Sequence, residues 1–161
     1  MSRNETKDLI EGKKVIIDLF KEKDTGFIGA IGELVAWKYL LRHRGMFCLS
    51  FSGNAKAFAG IWSEESEFIN RGLSKQQVDY LTNLGRHINS SERSYDFIGR
   101  LRGENWVCCL IEVKTTRQGT LHDTRKKADE IKKAKSLGFM PLLVHVEFLQ
   151  NWKFKVTCRQ L

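Results

Sequence analysis

Proline is almost missing from this chain of 161 residues, which has one, and cysteine is scarce, with four. No Pro-rich linker, low-complexity tract or internal repeat divides the sequence. It therefore reads as a single domain over residues 1–161, long enough to bury a core. None of Cys48, Cys108, Cys109 and Cys158 stands in a C-x-x-C pair, which excludes a zinc knuckle or a redox motif and predicts reduced core thiols. No apolar run has the length of a bilayer span, and the N-terminus is rich in Arg, Lys and Glu rather than signal-like. Those absences predict a soluble, intracellular (cytoplasmic) protein with no membrane partner. His43, His87, His122 and His145 show no H-x-x-x-H spacing, and neither G-x-x-x-x-G-K-S/T nor G-x-G-x-x-G occurs, which argues against a nucleotide-driven motor.

What the chain does have is positive charge, placed unevenly. Lys and Arg number 27 against 19 Asp and Glu, a formal net charge of +8. Residues 94–161 hold thirteen basic and seven acidic side chains, whereas residues 54–93 are balanced at five of each. An excess gathered in the last third suits a polyanionic partner such as nucleic acid, although many basic proteins bind none. The hydrophobic fraction of 42% argues against disorder.

Periodicity predicts helices over 5–23 and 27–43, the second burying Phe27, Ile28, Ile31, Leu34, Val35 and Leu41 and ending at Gly45. A short strand over 46–51 follows. Residues 54–93 read as a helical insertion within the domain, with one helix over 63–70 and another announced by Ser74 and Gln77, a capping-box pair preceding Val78, Leu81 and Leu84. Two apolar-rich strands over 94–101 and 106–115 flank Arg102-Gly103-Glu104-Asn105, a hairpin signal. A helix over 123–137, with Ala128, Ile131 and Ala134 inward, is closed by Gly138, and strands over 142–148 and 152–157 complete the chain. That order predicts an α/β fold, a central mixed β-sheet flanked by helices.

The chemistry lies at Asp96 and at Glu112-Val113-Lys114. Alternate strand residues share a face, so Glu112 and Lys114 point the same way while Val107, Cys109, Ile111 and Val113 fill the other. A hairpin sets Asp96 beside them. Two carboxylates and a lysine at one end of a sheet are costly to hold together unless something binds there. Hard carboxylate oxygens suit Mg²⁺, with Mn²⁺ a substitute, and such an ion activates water and stabilises charge on phosphate oxygen. Lys114 would position the water or neutralise the transition state, so the set meets the needs of phosphodiester hydrolysis. Glu-x-Lys also occurs elsewhere, as at Glu11-Gly12-Lys13 and Glu130-Ile131-Lys132, but in helical texture, where positions two apart diverge by about 200°. The bland alternative is a surface salt bridge at a strand end.

These residues resemble the PD-(D/E)XK nuclease superfamily in Asp96, in Glu112-Val113-Lys114 and in the strand-turn-strand-helix order around them. Gly32-Glu33-Leu34-Val35 is similar to the helix that carries an assisting glutamate in many members, archaeal Holliday-junction resolvases among them, and Phe51-Ser52-Gly53 is similar to the resolvase pattern. Tyr95 stands where the motif has proline, and the 54–93 stretch is longer than a minimal resolvase has. The resemblance implies a restriction-endonuclease-like core and a Mg²⁺-dependent endonuclease acting on DNA, in junction cleavage, restriction or repair. Asp96, Glu112 and Glu33 would hold the metal, and Lys114 would handle the water. A symmetric homodimer suits cleavage of two strands, and a protein partner that selects the target is a further expectation.

Basic side chains after the motif, Arg117, Arg125, Lys126, Lys127, Lys132, Lys133 and Lys135, with Gln118 and, from the other side, Arg42 and Arg44, would grip phosphates; a solvated helix face is the alternative for the run. Trp62 and Trp106 could stack on bases or sit in the core, and His122 could serve as an auxiliary acid or base or be structural. A non-catalytic nucleic-acid-binding module and an RNA-acting nuclease are the rival readings.

Overall fold

The computed structural model describes residues 25–51, 71–86, 95–101, 107–117 and 128–161. The helices expected over 5–23 and 63–70 and the turn at 102–105 lie outside them. The elements are α1 (Thr25–His43), β1 (Met46–Ser50), α2 (Lys75–Arg86), β2 (Phe97–Leu101), β3 (Cys108–Arg117), α3 (Ala128–Ser136), β4 (Met140–Phe148) and β5 (Phe154–Gln160). The five strands form one sheet in the order β1-β2-β3-β4-β5. Only β3 and β4 run parallel, and α3 lies in the crossover that a parallel pair requires. The α/β class and the mixed sheet between helices are as expected.

Alternation along β3 builds two cores. Cys109, Ile111 and Val113 join Ile28, Ala36 and Leu40 of α1 on one face, with Val144 and Val146 of β4. Cys108 and Leu110 join Tyr80, Leu81 and Leu84 of α2 and Ala134 of α3 on the other. A strand covered on both faces reads as a continuous apolar run, as Cys108-Cys109-Leu110-Ile111 does. Cys108 and Cys109 thus point to opposite faces, and all four cysteines are free thiols.

Local signals explain the ends of the helices. The Ser74 amide donates to Gln77 Oε1 (2.8 Å) and the Gln77 amide to Ser74 Oγ (3.2 Å), the reciprocal capping box. Gln77 also donates through Nε2 to the Leu137 carbonyl (2.8 Å), tying the start of α2 to the end of α3. Gly138 (φ +84°) closes α3 in a Schellman turn, its amide on Lys135 O and that of Phe139 on Ala134 O. Gly45 (φ +59°) follows α1 in the same left-handed region.

Three expectations, two of side-chain burial and one of a strand boundary, are corrected. The buried line of α1 is Ile28, Gly32, Ala36 and Leu40, while Leu34 (63% exposed) and Leu41 (42%) face outward beside Trp37. The reason is close approach, since a Cβ at Gly32 would overlap the Thr115 hydroxyl and come within 2.9 Å of Thr115 Cβ. Small residues therefore set the contact line, and the larger apolar side chains at 34 and 41 lie off it. Ala128, at the first position of α3, is exposed. Trp152 belongs to a 3-10 turn at positive φ (60°) before β5 rather than to the strand.

Candidate active site

Asp96 sits where β2 leaves its regular ladder with β3. The last regular pair is Phe97 with Ile111. One residue earlier the Asp96 amide donates to the Ile111 carbonyl (2.8 Å), and the Asp96 carbonyl accepts from Phe51 N–H (3.0 Å). Its carboxylate turns onto β3 and accepts the Val113 amide at Oδ2 (2.7 Å). That amide lies between Glu112 and Lys114, so the hairpin docks the aspartate on the backbone of the Glu-Val-Lys tripeptide.

Glu112 and Lys114 share a face, as strand alternation requires, and Lys114 Nζ meets Glu112 Oε1 at 2.8 Å. The two are unequal in solvent. The Glu112 side chain is 3% exposed and that of Lys114 45%. Among the described residues only Arg100 and Glu112 are charged and buried. A carboxylate placed so deep loses hydration, and a partly solvated ammonium at hydrogen-bond distance offsets part of that cost.

The surroundings on this face keep phenols neutral. Burial, then the charges of Tyr80, Glu130 and Glu112, raises the Tyr95 hydroxyl well above the usual phenol range. Burial and the Glu130 carboxylate push Tyr80 up to about 12. Glu130, at the start of α3, therefore shares an electrostatic neighbourhood with Glu112, which the helical texture around it gave no reason to expect.

Glu33 is half-buried and lies on the helix whose residue Gly32 rests on Thr115. Thr115 alternates with Lys114, so α1 covers the face of β3 opposite to the one that carries Glu112 and Lys114. Among the described residues no group of three or more His, Cys, Asp or Glu side chains is placed to hold a metal ion. The structure thus joins Asp96 to the Glu112–Lys114 pair and leaves Glu33 on the other layer.

The predicted phosphate-gripping residues are dispersed. Arg117 is exposed at the end of β3. Lys132 and Lys133 are exposed on α3, with Lys133 Nζ over the Tyr80 ring at 5.5 Å. Arg42 and Arg44 are exposed where α1 runs into β1, and the Arg44 charge acts on Cys109 and Cys158 rather than at the Lys114 end of β3. Gln118, Arg125, Lys126 and Lys127 lie outside the described residues, as do Trp62, Trp106 and His122.

Register adds residues that spacing in the sequence does not connect. Lys114 is level with His145 on β4, and His145 with Thr157 on β5. One step toward the ends of β3 and β4, Thr116 is level with Glu147 and Glu147 with Lys155; one step back, Glu112 is level with Leu143 and Leu143 with Arg159. Partners in register project from the same face, so these side chains form one surface on which Leu143 is the only apolar member. Thr116 Oγ1 and His145 Nε2 are 2.7 Å apart. The usable signal was the alternation of β4, where His145 and Glu147 interrupt an otherwise apolar strand.

Compared with protein-family models and with curated proteins, the chain matches none. No described helix is long and apolar enough to cross a membrane.

Proposed function

We propose that the protein is a metal-dependent endonuclease with a restriction-endonuclease-like core, hydrolysing phosphodiester bonds in DNA. The observation that supports this reading most is the docking of the Asp96 carboxylate onto the Val113 amide, between a buried Glu112 and its partner Lys114. A structural salt bridge would not need a second carboxylate brought from the neighbouring strand. The donor set fits Mg²⁺, which takes one or two carboxylates and completes its shell with water and substrate oxygens. Asp96 and Glu112 would hold it. When bound, the ion supplies Lewis-acid stabilisation of a phosphate oxygen and an acidified water.

The chain's own groups perform the rest. Lys114 has an ammonium that is half in solvent and two residues from Glu112, so it can donate to an attacking water or to a non-bridging phosphate oxygen. In the free protein Glu112 holds that ammonium in place. Buried Tyr95 stays protonated beside them and adds no charge to an already acidic site. Hydrolysis adds the elements of water across one P–O ester bond, its hydroxyl to phosphorus and its proton to the departing alkoxide.

The test is cleavage of labelled single-stranded, duplex, flap and four-way-junction DNA, and of structured RNA, with Mg²⁺ or Mn²⁺ and with chelator. Asp96→Asn, Glu112→Gln and Lys114→Ala should each lower metal-dependent cutting at least about a hundredfold while remaining folded. DNA binding that is equal in all four proteins, with no cutting of any substrate, would replace this reading with a non-catalytic binding module. Preferential cutting of RNA would replace the substrate.

A further inference from the structure

The surface that carries Lys114 changes character along its length. At Cys108 and Leu110 it is apolar and roofed by α2 and α3. From Glu112 onward it is polar across β3, β4 and β5 except at Leu143, although the opposite face of the same strands stays apolar through Val113, Val146 and Phe148. Side chains meant for a covering layer would have remained apolar. Lys155, Thr157 and Arg159 of β5 are exposed, and His145 and Thr116 are half-buried. The polar half of this face therefore meets solvent immediately beside the candidate active site.

We propose that His145 and Thr116, with Lys155 and Arg159 behind them on β5, bind the backbone phosphate next to the one that is cut. This inference rests on the phosphodiesterase reading and extends it by a subsite. His145 is one strand spacing, about 5 Å, from Lys114, and β5 is about 10 Å away, so the surface leads outward from the reacting centre. The hydrogen bond of 2.7 Å between Thr116 Oγ1 and His145 Nε2 fixes both rotamers and leaves the pair one proton to donate to a phosphate oxygen: His145 Nδ1–H where the hydroxyl donates to Nε2, or the Thr116 hydroxyl where Nε2–H donates to it. Lys155 and Arg159 supply positive charge along the same direction, with Lys155 level with Glu147 and Arg159 with Leu143. An enzyme that cuts within a strand must hold the strand beyond the scissile bond, and hydroxyl, imidazole and guanidinium donors are the groups that bind phosphate oxygens.

The experiment uses DNA in which one phosphate at a time, on either side of the cut, is replaced by an uncharged methylphosphonate. On unmodified DNA, His145→Ala and the near-isosteric Thr116→Val should each lower kcat/KM about tenfold, mainly through KM. At one methylphosphonate position the wild type should lose a similar factor and the two variants almost nothing further, because the interaction is already gone. Lys155→Ala and Arg159→Ala, at exposed positions, should each lessen the salt dependence of binding by about one unit of slope. A structural role would predict losses that multiply equally at every position, and that outcome overturns the subsite, as does wild-type kcat/KM in His145→Ala and Thr116→Val. Should His145→Ala fail to fold, the Thr116 and Lys155 variants decide. If Lys114-dependent cutting is present and these variants are neutral, the subsite alone falls. If the wild type cuts nothing, both readings fall together.

Discussion

Lys114 steadies a carboxylate that water scarcely reaches, and the two sides of that contact answer differently to substitution. Lys114→Met removes the ammonium 2.8 Å from Glu112 Oε1, leaving a buried charge in a poorer setting. A loss of about 1–2 kcal/mol is expected, less than for a fully buried pair because the lysine is half in solvent. Glu112→Gln removes the buried charge itself and should cost less, so urea denaturation of the two variants should rank Lys114→Met as the more damaging. Asp96 offers a cleaner separation of stability from chemistry. Asp96→Asn keeps an oxygen able to accept the Val113 amide, so its stability should stay within about 1 kcal/mol of wild type, whereas Asp96→Ala leaves that amide without this acceptor and should cost about 1–3 kcal/mol. Both should abolish cutting.

At the scale of elements, two glycines and one cap decide how helices meet the sheet. Gly32 lets α1 descend onto Thr115. Gly32→Ala should cost about 1–3 kcal/mol, and Thr115→Ala in the same chain should recover part of it, a non-additivity measurable by a double-mutant cycle. Because that contact lies directly behind Lys114, the same substitution should also lower cleavage. Gly138→Ala forces a side chain into the left-handed region at φ +84° and should cost about 1 kcal/mol. Among these elements, α2 had clear signals in the sequence, through Ser74, Gln77 and the line of Leu81 and Leu84. The faces of α1 did not. Its apolar residues surround the helix, so the choice between Leu34 and Ala36 as core depended on which side could come closest to β3.

For the molecule as a whole, burial governs the response to alkali. Desolvation first, and then neighbouring thiols, pushes the Cys48 thiol from 9.0 up to about 12, and Cys108 and Cys109 reach about 12 also. Because the folded values are raised, the folded protein keeps protons that the unfolded chain gives up above about pH 9. The stabilisation is complete below that pH and is lost progressively as pH rises toward 12. Denaturation midpoints measured from pH 8 to 11 should therefore fall. Thiol-labelling of the native protein should reach Cys158, which is only half-buried, ahead of the other three.

The amino-acid sequence by itself determined the α/β class, the strand pair that carries Asp96 and Glu112-Val113-Lys114, the start of α2, the close of α3, and the partition of Cys108 and Cys109 between two cores. All of these follow from local rules, the two-residue period of strands and the donors and acceptors left open at helix ends. What only the tertiary structure decided is which residues stand side by side across strands and layers. The level of β4 against β3, which brings His145 beside Lys114, depends on how the crossover between them packs, and no periodicity within either strand encodes it. The position of Glu33 depends in the same way on the face of the sheet that α1 covers. That choice follows from the close fit of Gly32 on Thr115, a contact between residues far apart in the chain, whose effect exists only once both elements have formed.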